Sequence, residues 1–321
     1  MKRGSPARGS PSSCAPYFGR DSDYASWYGC TVSGLGSEAV FLQANIHFIS
    51  GLPRSGSTLL AALLRQNPRF SAGLSSPLHA LFSHVLKAVS SENDLAFAVP
   101  SEKKEALLRG LFDSWLGETP PGHVVFDTNR LWTARLPALT LLFPQAKVIC
   151  CIRDVAWILD SIERLIRRNA FELSGLFIDD VERATVYSRC EALASRDRLI
   201  GLPWHALKEA CWGEHADRLL LVEYDFLAQS PEAALRAIYD FIGEPWFPHD
   251  FGNVTLDEPV MDEVLRTPGL HAIRPQVTWA PRRSVLPPDL LERYGACSFW
   301  DQAQPGAARL LGRANAPATA A

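Results

Sequence analysis

Short apolar runs alternate with longer amphipathic stretches through most of the chain. The first run, at residues 46–50, stops at a glycine and is followed by a stretch rich in leucine and alanine at 58–66. A second run at 146–152 precedes an amphipathic stretch at 155–168, and a third run lies at 218–223. The runs predict buried strands and the stretches predict helices. Strands that alternate with helices predict an α/β fold, a three-layer sandwich with a central parallel sheet.

Composition divides the chain into three parts. Residues 1–45 are rich in serine, glycine and proline and show no apolar period, which predicts a disordered N-terminal extension. Residues 46–300 carry the alternating pattern and are predicted to form one domain, followed by a flexible tail at 301–321. Proline, glycine and arginine become frequent after residue 245, which predicts an ordered closing loop. Further helices are predicted at 77–90, 101–116, 131–143, 178–200, 203–213 and 231–242.

Charge and composition narrow the class of protein. The 321 residues carry a formal net charge of −3, which argues against a general attraction for nucleic acid or an anionic membrane. No apolar stretch approaches the roughly 18 to 20 residues of a bilayer span, so we expect no membrane span. Seven cysteines without a CxxC pair favour reduced thiols in a cytoplasmic enzyme over a disulfide framework or zinc site. No metal is expected, because the sequence shows no metal-ligand cluster.

The segment 51–58, Gly-Leu-Pro-Arg-Ser-Gly-Ser-Thr, joins the first predicted strand to the first predicted helix. A loop in this position directs backbone N–H groups and a helix N-terminus at one point, which suits phosphate or sulfate. Its spacing is P-loop-like, but Ser57 stands where a nucleoside triphosphatase loop has lysine. The basic residue is Arg54, three positions earlier, whose planar fork can reach a ligand oxygen. The simpler alternative is a turn that only caps a helix.

The sequence Pro-Arg-Ser-Gly-Ser-Thr-Leu at 53–59 resembles the 5′-phosphosulfate loop of the sulfotransferase family, in the form typical of tyrosylprotein sulfotransferases and related bacterial enzymes. The resemblance implies a PAPS-dependent enzyme, which passes the sulfuryl group of 3′-phosphoadenosine 5′-phosphosulfate (PAPS) to an acceptor hydroxyl or amine by in-line displacement. It also implies that Arg54 stabilises charge on the leaving phosphate. The residues that would bind the donor here are Arg54, Ser55, Gly56, Ser57 and Thr58.

A second element carries the same resemblance. Arg153 follows the apolar run at 146–152, and Ser161 lies eight residues later, about two helical turns along and on nearly the same face. One phosphate could receive both groups, and the 3′-phosphate element of sulfotransferases has this arrangement. Leu165 departs from the tyrosylprotein enzymes, which place another arginine there. Taken without the first loop, Arg153 would be better interpreted as an ion-pair partner of Asp154 or as a charge at the end of the sheet.

The likeness to the family runs from about residue 46 to 295 and adds three residues to the predicted site. Tyr224, at the end of the third predicted strand, would approach the nucleotide. Arg130 follows the apolar residues 124–126 and would contact the transferring sulfuryl group, by analogy with a lysine of tyrosylprotein enzymes. Arg282, in the closing loop, would cap the nucleotide. Each of these residues also has a structural interpretation, as a strand-end or turn residue.

The general base is not fixed by the resemblance. Tyrosylprotein enzymes use a glutamate shortly after the first helix, and Ser75 stands at that position here. His79, four residues later, is the first candidate for the base, followed by Asp127 and then His271. A structural role is an alternative for each of the three.

Two other functions stay open. The same loop would suit a nucleotide-dependent kinase, and the absent glutamate would suit a catalytically inactive nucleotide-binding protein. The acceptor class also stays open between a peptide tyrosine, a sugar, a lipid and a small molecule. We expect no nucleic-acid partner and leave a homodimer open.

Overall fold

A computed structural model describes residues 45–312 except 91–93, 95, 118, 257–259 and 302–305. Nearly all of the predicted extension at 1–45 and much of the predicted tail therefore lie outside the described residues. The strands are β1 (Asn45–Gly51), β2 (Phe70–Ser75), β3 (Val124–Thr128), β4 (Val148–Ile152), β5 (Leu219–Glu223) and β6 (Arg309–Leu311). They form one parallel sheet in the order β2-β3-β1-β4-β5-β6. The predicted α/β fold with a central parallel sheet is confirmed.

Helices cover both faces of the sheet. Those in the described residues are α1 (Ser57–Leu64), α2 (Leu78–Ala88), α3 (Ser101–Leu116), α4 (Leu136–Leu142), α5 (Val155–Arg168), α6 (Asp180–Ala184), α7 (Val186–Ala194), α8 (Gly201–Trp212), α9 (Tyr224–Gln229), α10 (Pro231–Ile242), α11 (Val260–Val264) and α12 (Pro288–Gly295). None of these helices is both long and apolar enough to cross a membrane.

Two hydrophobic cores lie on opposite sides of the sheet, because successive strand residues point to opposite faces. Phe48 and Cys150 belong to the core that α2, α3, α4, α5, α8 and α12 cover. Their neighbours Ile49 and Cys151 belong to the core that α1, α9 and α10 cover. The strands therefore read as continuous apolar runs, as expected for a sheet that is buried on both faces.

Several elements differ from the sequence prediction, among them α11 and α12, which form within the predicted closing loop. The helix predicted at 178–200 is broken at Thr185, whose hydroxyl accepts the N–H of Ser188 and caps a new helix, α7. The edge strand β2 was not predicted, because it is short and is built largely from serine, alanine and glycine. Within the predicted tail, β6 pairs with β5, and Leu311 packs onto the core beneath it.

The strand order creates a crevice at one end of the sheet. From β1 the chain moves to β2 and β3 on one side, and then crosses to β4 on the other side. The loops that follow β1 and β4 therefore leave in opposite directions, which is where ligands bind in open α/β sheets. The two strands run in register up to Gly51 and Cys151. Any Cβ atom on Gly51 would lie 2.1 Å from the carbonyl oxygen of Cys151, so only glycine lets the strands approach so closely.

Candidate functional site

The loop between β1 and α1 takes a tight path with two residues in the left-handed region. Arg54 has φ 56° and Gly56 has φ 93°, and α1 begins directly afterwards at Ser57. A Cβ atom on Gly56 would lie 2.9 Å from Cδ2 of Tyr224, so this contact also requires glycine. None of the described side chains caps the first turn of α1. Its N–H groups are therefore available to an anion.

The hydroxyl groups of this loop lie in different places. Ser57 and Thr58 line a cleft of about 500 Å³ at the end of the sheet. Ser55 is fully buried, and its hydroxyl donates to the carbonyl of Pro53 at 3.2 Å. The predicted ligand contact of Ser55 therefore depends on its backbone, because its hydroxyl stabilises the loop itself.

Hydrogen bonds join the loop after β1 to the element after β4. Nε of Arg54 donates to the hydroxyl of Ser161 at 3.2 Å, and Nη1 of Arg153 donates to the carbonyl of Arg54 at 3.4 Å. Asp154 does not hold Arg153 in an ion pair, because its carboxylate caps α5 by accepting the N–H groups of Ala156 and Trp157. Three of the residues predicted to contact phosphate groups, Arg54, Arg153 and Ser161, are therefore neighbours.

The guanidinium groups of Arg54 and Arg153 are crowded and poorly solvated. Burial, followed by the positive charge of Arg153, lowers the pKa of Arg54 to about 10. Burial also lowers the pKa of Arg153, whose guanidinium carbon lies 4.2 Å from the ring centroid of Tyr224. Nε of Arg153 is buried and has no hydrogen-bond partner among the described residues. An anion bound here would satisfy this donor and reduce the repulsion between the two cations.

A fully buried carboxylate, Asp160, fixes the closing loop to helix α5. Its Oδ2 atom lies 2.5 Å from Nη2 of Arg282 and 3.0 Å from Nε of Arg164. Its Oδ1 atom accepts the N–H of Val285 at 2.7 Å. The guanidinium of Arg282 also lies over the ring of Trp157, 5.4 Å from its centroid. These contacts hold the predicted capping residue Arg282 at the wall of the cleft, and no sequence pattern pointed to Asp160.

The cleft is strongly cationic. No aspartate or glutamate from the described part of the chain lines it. We call it the arginine cleft after the seven arginines in its wall: Arg54, Arg130, Arg153, Arg164, Arg168, Arg274 and Arg282. They come from loops after three strands, from helix α5 and from the closing loop, so the charge is concentrated by the fold. A chain with a net charge of −3 thus presents a local site for a multiply charged anion.

The candidate bases differ in their access to this cleft. Neither His79 nor Asp127 lines it, whereas Arg130 does. His79 packs edge-on against Trp132 with the ring centroids 5.0 Å apart, and burial, followed by the charge of Arg135, lowers its pKa to about 4. Asp127 accepts Nε1–H of Trp132 at 2.7 Å and the hydroxyl of Ser76 at 2.5 Å. The side chains of His79 and Asp127 therefore both contact Trp132 outside the cleft.

His271, the third candidate, lines the cleft. Its Nδ1 atom lies 2.6 Å from Oδ1 of Asp262. The same carboxylate accepts the backbone N–H of Gly269 at 3.0 Å and that of His271 at 3.2 Å. A carboxylate that orients an imidazole in this way is found in many acid–base sites. The sequence offered no signal for Asp262, because its partner lies in a loop without regular structure.

In the part of the chain that the structure describes, His, Cys, Asp and Glu side chains form no group of three or more that could hold a metal ion. The cysteines described there are Cys150, Cys151, Cys190, Cys211 and Cys297, and all five are free thiols.

A sequence model described as "Sulfotransferase family" matches residues 47–248, which include both anion-binding elements and most of the sheet. The chain belongs to the sulfotransferase family. A protein-tyrosine sulfotransferase of Drosophila melanogaster is 27% identical over 301 residues, covering 79% of this chain and 54% of that protein. Protein-tyrosine sulfotransferase 1 of Danio rerio is 26% identical over 206 residues, covering 62% and 53%. The chain thus spans about half the length of these relatives.

Solved structures of sulfotransferases are also similar to this chain. One from Mycobacterium avium has 17% sequence identity and a TM-score of 0.44, covering 84% of this chain and 79% of that one. Membership of the sulfotransferase family supports sulfuryl transfer in general. A cytoplasmic location and a homodimer stay predictions.

Proposed function

We propose that this sulfotransferase takes its sulfuryl group from 3′-phosphoadenosine 5′-phosphosulfate and transfers it to an acceptor hydroxyl or amine. The observation that supports this donor is the contact between the two anion-binding elements, in which Arg54 bonds to Ser161 and Arg153 bonds to the backbone of Arg54. A donor with phosphate groups at both ends of one ribose needs two such elements close together.

The proposed roles follow from the positions of the side chains. The N–H groups at the start of α1, with the hydroxyls of Ser57 and Thr58, bind the 5′-phosphosulfate. Arg153 and Ser161 bind the 3′-phosphate, and Tyr224 holds the guanidinium of Arg153 in place from its other side. Arg282 closes the cleft over the nucleotide.

In the proposed reaction the acceptor oxygen or nitrogen attacks the sulfur in line with the bond to the leaving phosphate. Negative charge grows on that phosphate as the S–O bond breaks, and Arg54 with the loop N–H groups stabilises it. Arg130 lies in the cleft wall, where its charge can hold the sulfuryl oxygens during transfer. We do not propose His79 as the base, because its ring packs against Trp132 and does not line the cleft.

The donor proposal can be tested by calorimetry before any acceptor is known. Wild-type protein should bind adenosine 3′,5′-bisphosphate much more tightly than it binds AMP, which lacks the 3′-phosphate. Arg153→Ala should lose about 30- to 100-fold in affinity for the bisphosphate and nearly nothing for AMP, because one charged phosphate contact is removed. Arg236→Ala serves as the matched control, since Arg236 is paired with Glu232 on the exposed face of α10. Equal losses for both nucleotides in Arg153→Ala would contradict the proposed role of Arg153.

Turnover then separates the proposed enzyme from the two alternatives. Labelled donor is incubated with peptides that contain tyrosine, sugars, lipids and phenols, and sulfated products are identified by mass spectrometry. Arg54→Ala should lower kcat/KM by about 10²- to 10³-fold, as expected when one group that stabilises the leaving phosphate is removed. Transfer of phosphate from MgATP would support a kinase instead. Tight nucleotide binding with no transfer to any acceptor would support an inactive binding protein.

A further inference from the structure

The closing loop brings one histidine to the arginine cleft with its ring already oriented. Of the eight histidines in the chain, all of which are described, only His271 lines the cleft. Its Nδ1 atom is bound to Asp262 at 2.6 Å. The opposite ring nitrogen, Nε2, takes no part in this contact. The pair therefore presents one nitrogen whose lone pair can accept a proton.

Several contacts fix this part of the closing loop against helix α5, which also carries the proposed phosphate ligand Ser161. Nδ2 of Asn169 donates to the carbonyl of Pro268 at 3.1 Å, and a Cβ atom on Gly269 would lie 3.5 Å from Cδ2 of Leu165. Leu165 is one helical turn beyond Ser161. The position at which tyrosylprotein enzymes are expected to place an arginine therefore carries, in this chain, the apolar support for the loop that presents His271.

The pair also lies within electrostatic reach of the phosphosulfate loop. Burial and the charge of Arg153 lower the pKa of Arg54, and the carboxylate of Asp262 is among the groups that oppose this lowering. The Asp262 and Arg54 side chains are therefore close enough for their charges to interact. A base in this place would act near the atom to which the sulfuryl group is attached.

We propose that His271 is the general base of sulfuryl transfer and that Asp262 is its positioning residue. This inference rests on the proposed function. Nε2 of His271 accepts the proton of the acceptor hydroxyl while the acceptor oxygen forms its bond to sulfur. The S–O bond to the donor phosphate breaks, and the phosphate leaves with the electron pair. Asp262 keeps the proton of the resting imidazole on Nδ1 and stabilises the imidazolium that forms. The pair thus takes the place of the glutamate that is missing at Ser75.

The charged groups around the pair come from several elements of the fold. Asp262 is the carboxylate in contact with the ring. The other charged groups of the cleft are Arg54 after β1, Arg130 after β3, Arg153 after β4, Arg164 and Arg168 on α5, and Arg274 and Arg282 in the closing loop.

The test compares two acceptors that differ in their need for a base. Phenol holds its proton at about pH 8, since a phenolic hydroxyl has a pKa near 10, whereas 4-nitrophenol is largely ionised there and needs no base. His271→Gln should lose about 10²- to 10⁴-fold in kcat with phenol and less than about tenfold with 4-nitrophenol. His84→Gln is the matched control, because His84 is exposed on α2. The retained rate with 4-nitrophenol also shows that His271→Gln is folded.

Asp262→Asn identifies the positioning role of Asp262. The amide oxygen can still accept the backbone N–H groups of Gly269 and His271, but the neutral amide no longer stabilises the imidazolium. This variant should lose more than about tenfold in kcat with phenol while KM and the rate with 4-nitrophenol stay nearly unchanged. A purely structural role would reduce the rate with both acceptors alike.

The outcomes separate this inference from the proposed function. Equal losses with both phenols in His271→Gln would overturn the assignment of the base while sulfuryl transfer stands. A wild-type protein that binds adenosine 3′,5′-bisphosphate yet sulfates no acceptor would overturn both, since a base would have no reaction to serve. A protein that fails to bind the bisphosphate would overturn the proposed donor first.

Discussion

Removing the charge of Asp160 while keeping its shape should loosen the closing loop and destabilise the whole protein. In Asp160→Asn the amide oxygen can still accept the N–H of Val285, which is 2.7 Å away in the wild-type protein. The amide nitrogen would then face Arg164 and Arg282, two donors whose acceptor has been lost. The substitution thus removes two charge-assisted hydrogen bonds and one buried negative charge.

The expected magnitude follows from the exposure of the three partners. Asp160 is fully buried, whereas the side chains of Arg164 and Arg282 are 28% and 34% exposed. Each hydrogen bond to a charged group contributes about 1.5 to 3 kcal/mol when buried, and water partly replaces the lost acceptor for both arginines. We therefore expect a loss of about 2 to 3 kcal/mol in the free energy of unfolding. With a urea slope of about 3 kcal/mol per M, the unfolding midpoint would fall by about 1 M.

Urea unfolding of Asp160→Asn and of a matched control would test this reasoning. Asp180→Asn removes an aspartate that also pairs with an arginine, Arg183, at 3.2 Å, but Asp180 is 94% exposed. The control should change the free energy of unfolding by less than about 0.5 kcal/mol, as is usual for a surface ion pair. Calorimetry should also show weaker binding of adenosine 3′,5′-bisphosphate to Asp160→Asn, because Arg282 is no longer held at the cleft. A midpoint shift equal to that of Asp180→Asn would refute the reasoning.

Two further predictions concern the frame of the site. Gly51→Ala should lower the free energy of unfolding by about 3 kcal/mol or more, because its Cβ would lie 2.1 Å from the carbonyl oxygen of Cys151 at a φ of 107°. The control Gly110→Ala, in a helix with open space around it, should instead raise the free energy of unfolding by up to about 1 kcal/mol. Similar values for both variants in thermal unfolding would contradict the steric argument. Burial first and then Arg135 lower the pKa of His79 to about 4. Between pH 6.5 and about 4 the unfolded chain therefore binds a proton that the folded protein does not. The free energy of unfolding should be highest above pH 6.5 and should fall by about 1.4 kcal/mol per pH unit as the pH drops towards about 4. His79→Phe should therefore flatten this part of the stability curve in urea unfolding at several pH values, and an unchanged slope would rule out this titration.

The parts of the site that could be predicted from the sequence are those in which short-range pattern decides the structure. An apolar strand, a glycine-bearing loop and a helix start placed Arg54 at the end of β1, and the same logic placed Arg153 and Ser161 after β4. The sheet order then brings the two elements together, with Arg54 and Ser161 in contact across 107 residues of sequence.

Contacts made by the fold itself could not be predicted from such patterns. Asp160 meets Val285 across 125 residues, and the pairing of Asp262 with His271 depends on a closing loop that has little regular structure. His79 was the first candidate for the base because of its spacing from Ser75. Its helix, however, turns this ring towards Trp132, so the spacing along the chain did not correspond to a position in the cleft.

The arginine cleft also has a consequence for the stability of the folded chain. Its guanidinium groups repel one another in the free protein, and folding must gather them at one place. The proposed nucleotide donor, with its several negative charges, would bind only the gathered arrangement, so its binding energy would add to the free energy of unfolding by mass action. At a concentration 100 times its dissociation constant, such a ligand contributes about 2.7 kcal/mol. If the proposed donor binds in this way, the free chain is the less stable of the two forms, and the nucleotide concentration would help to set how much of the protein stays folded.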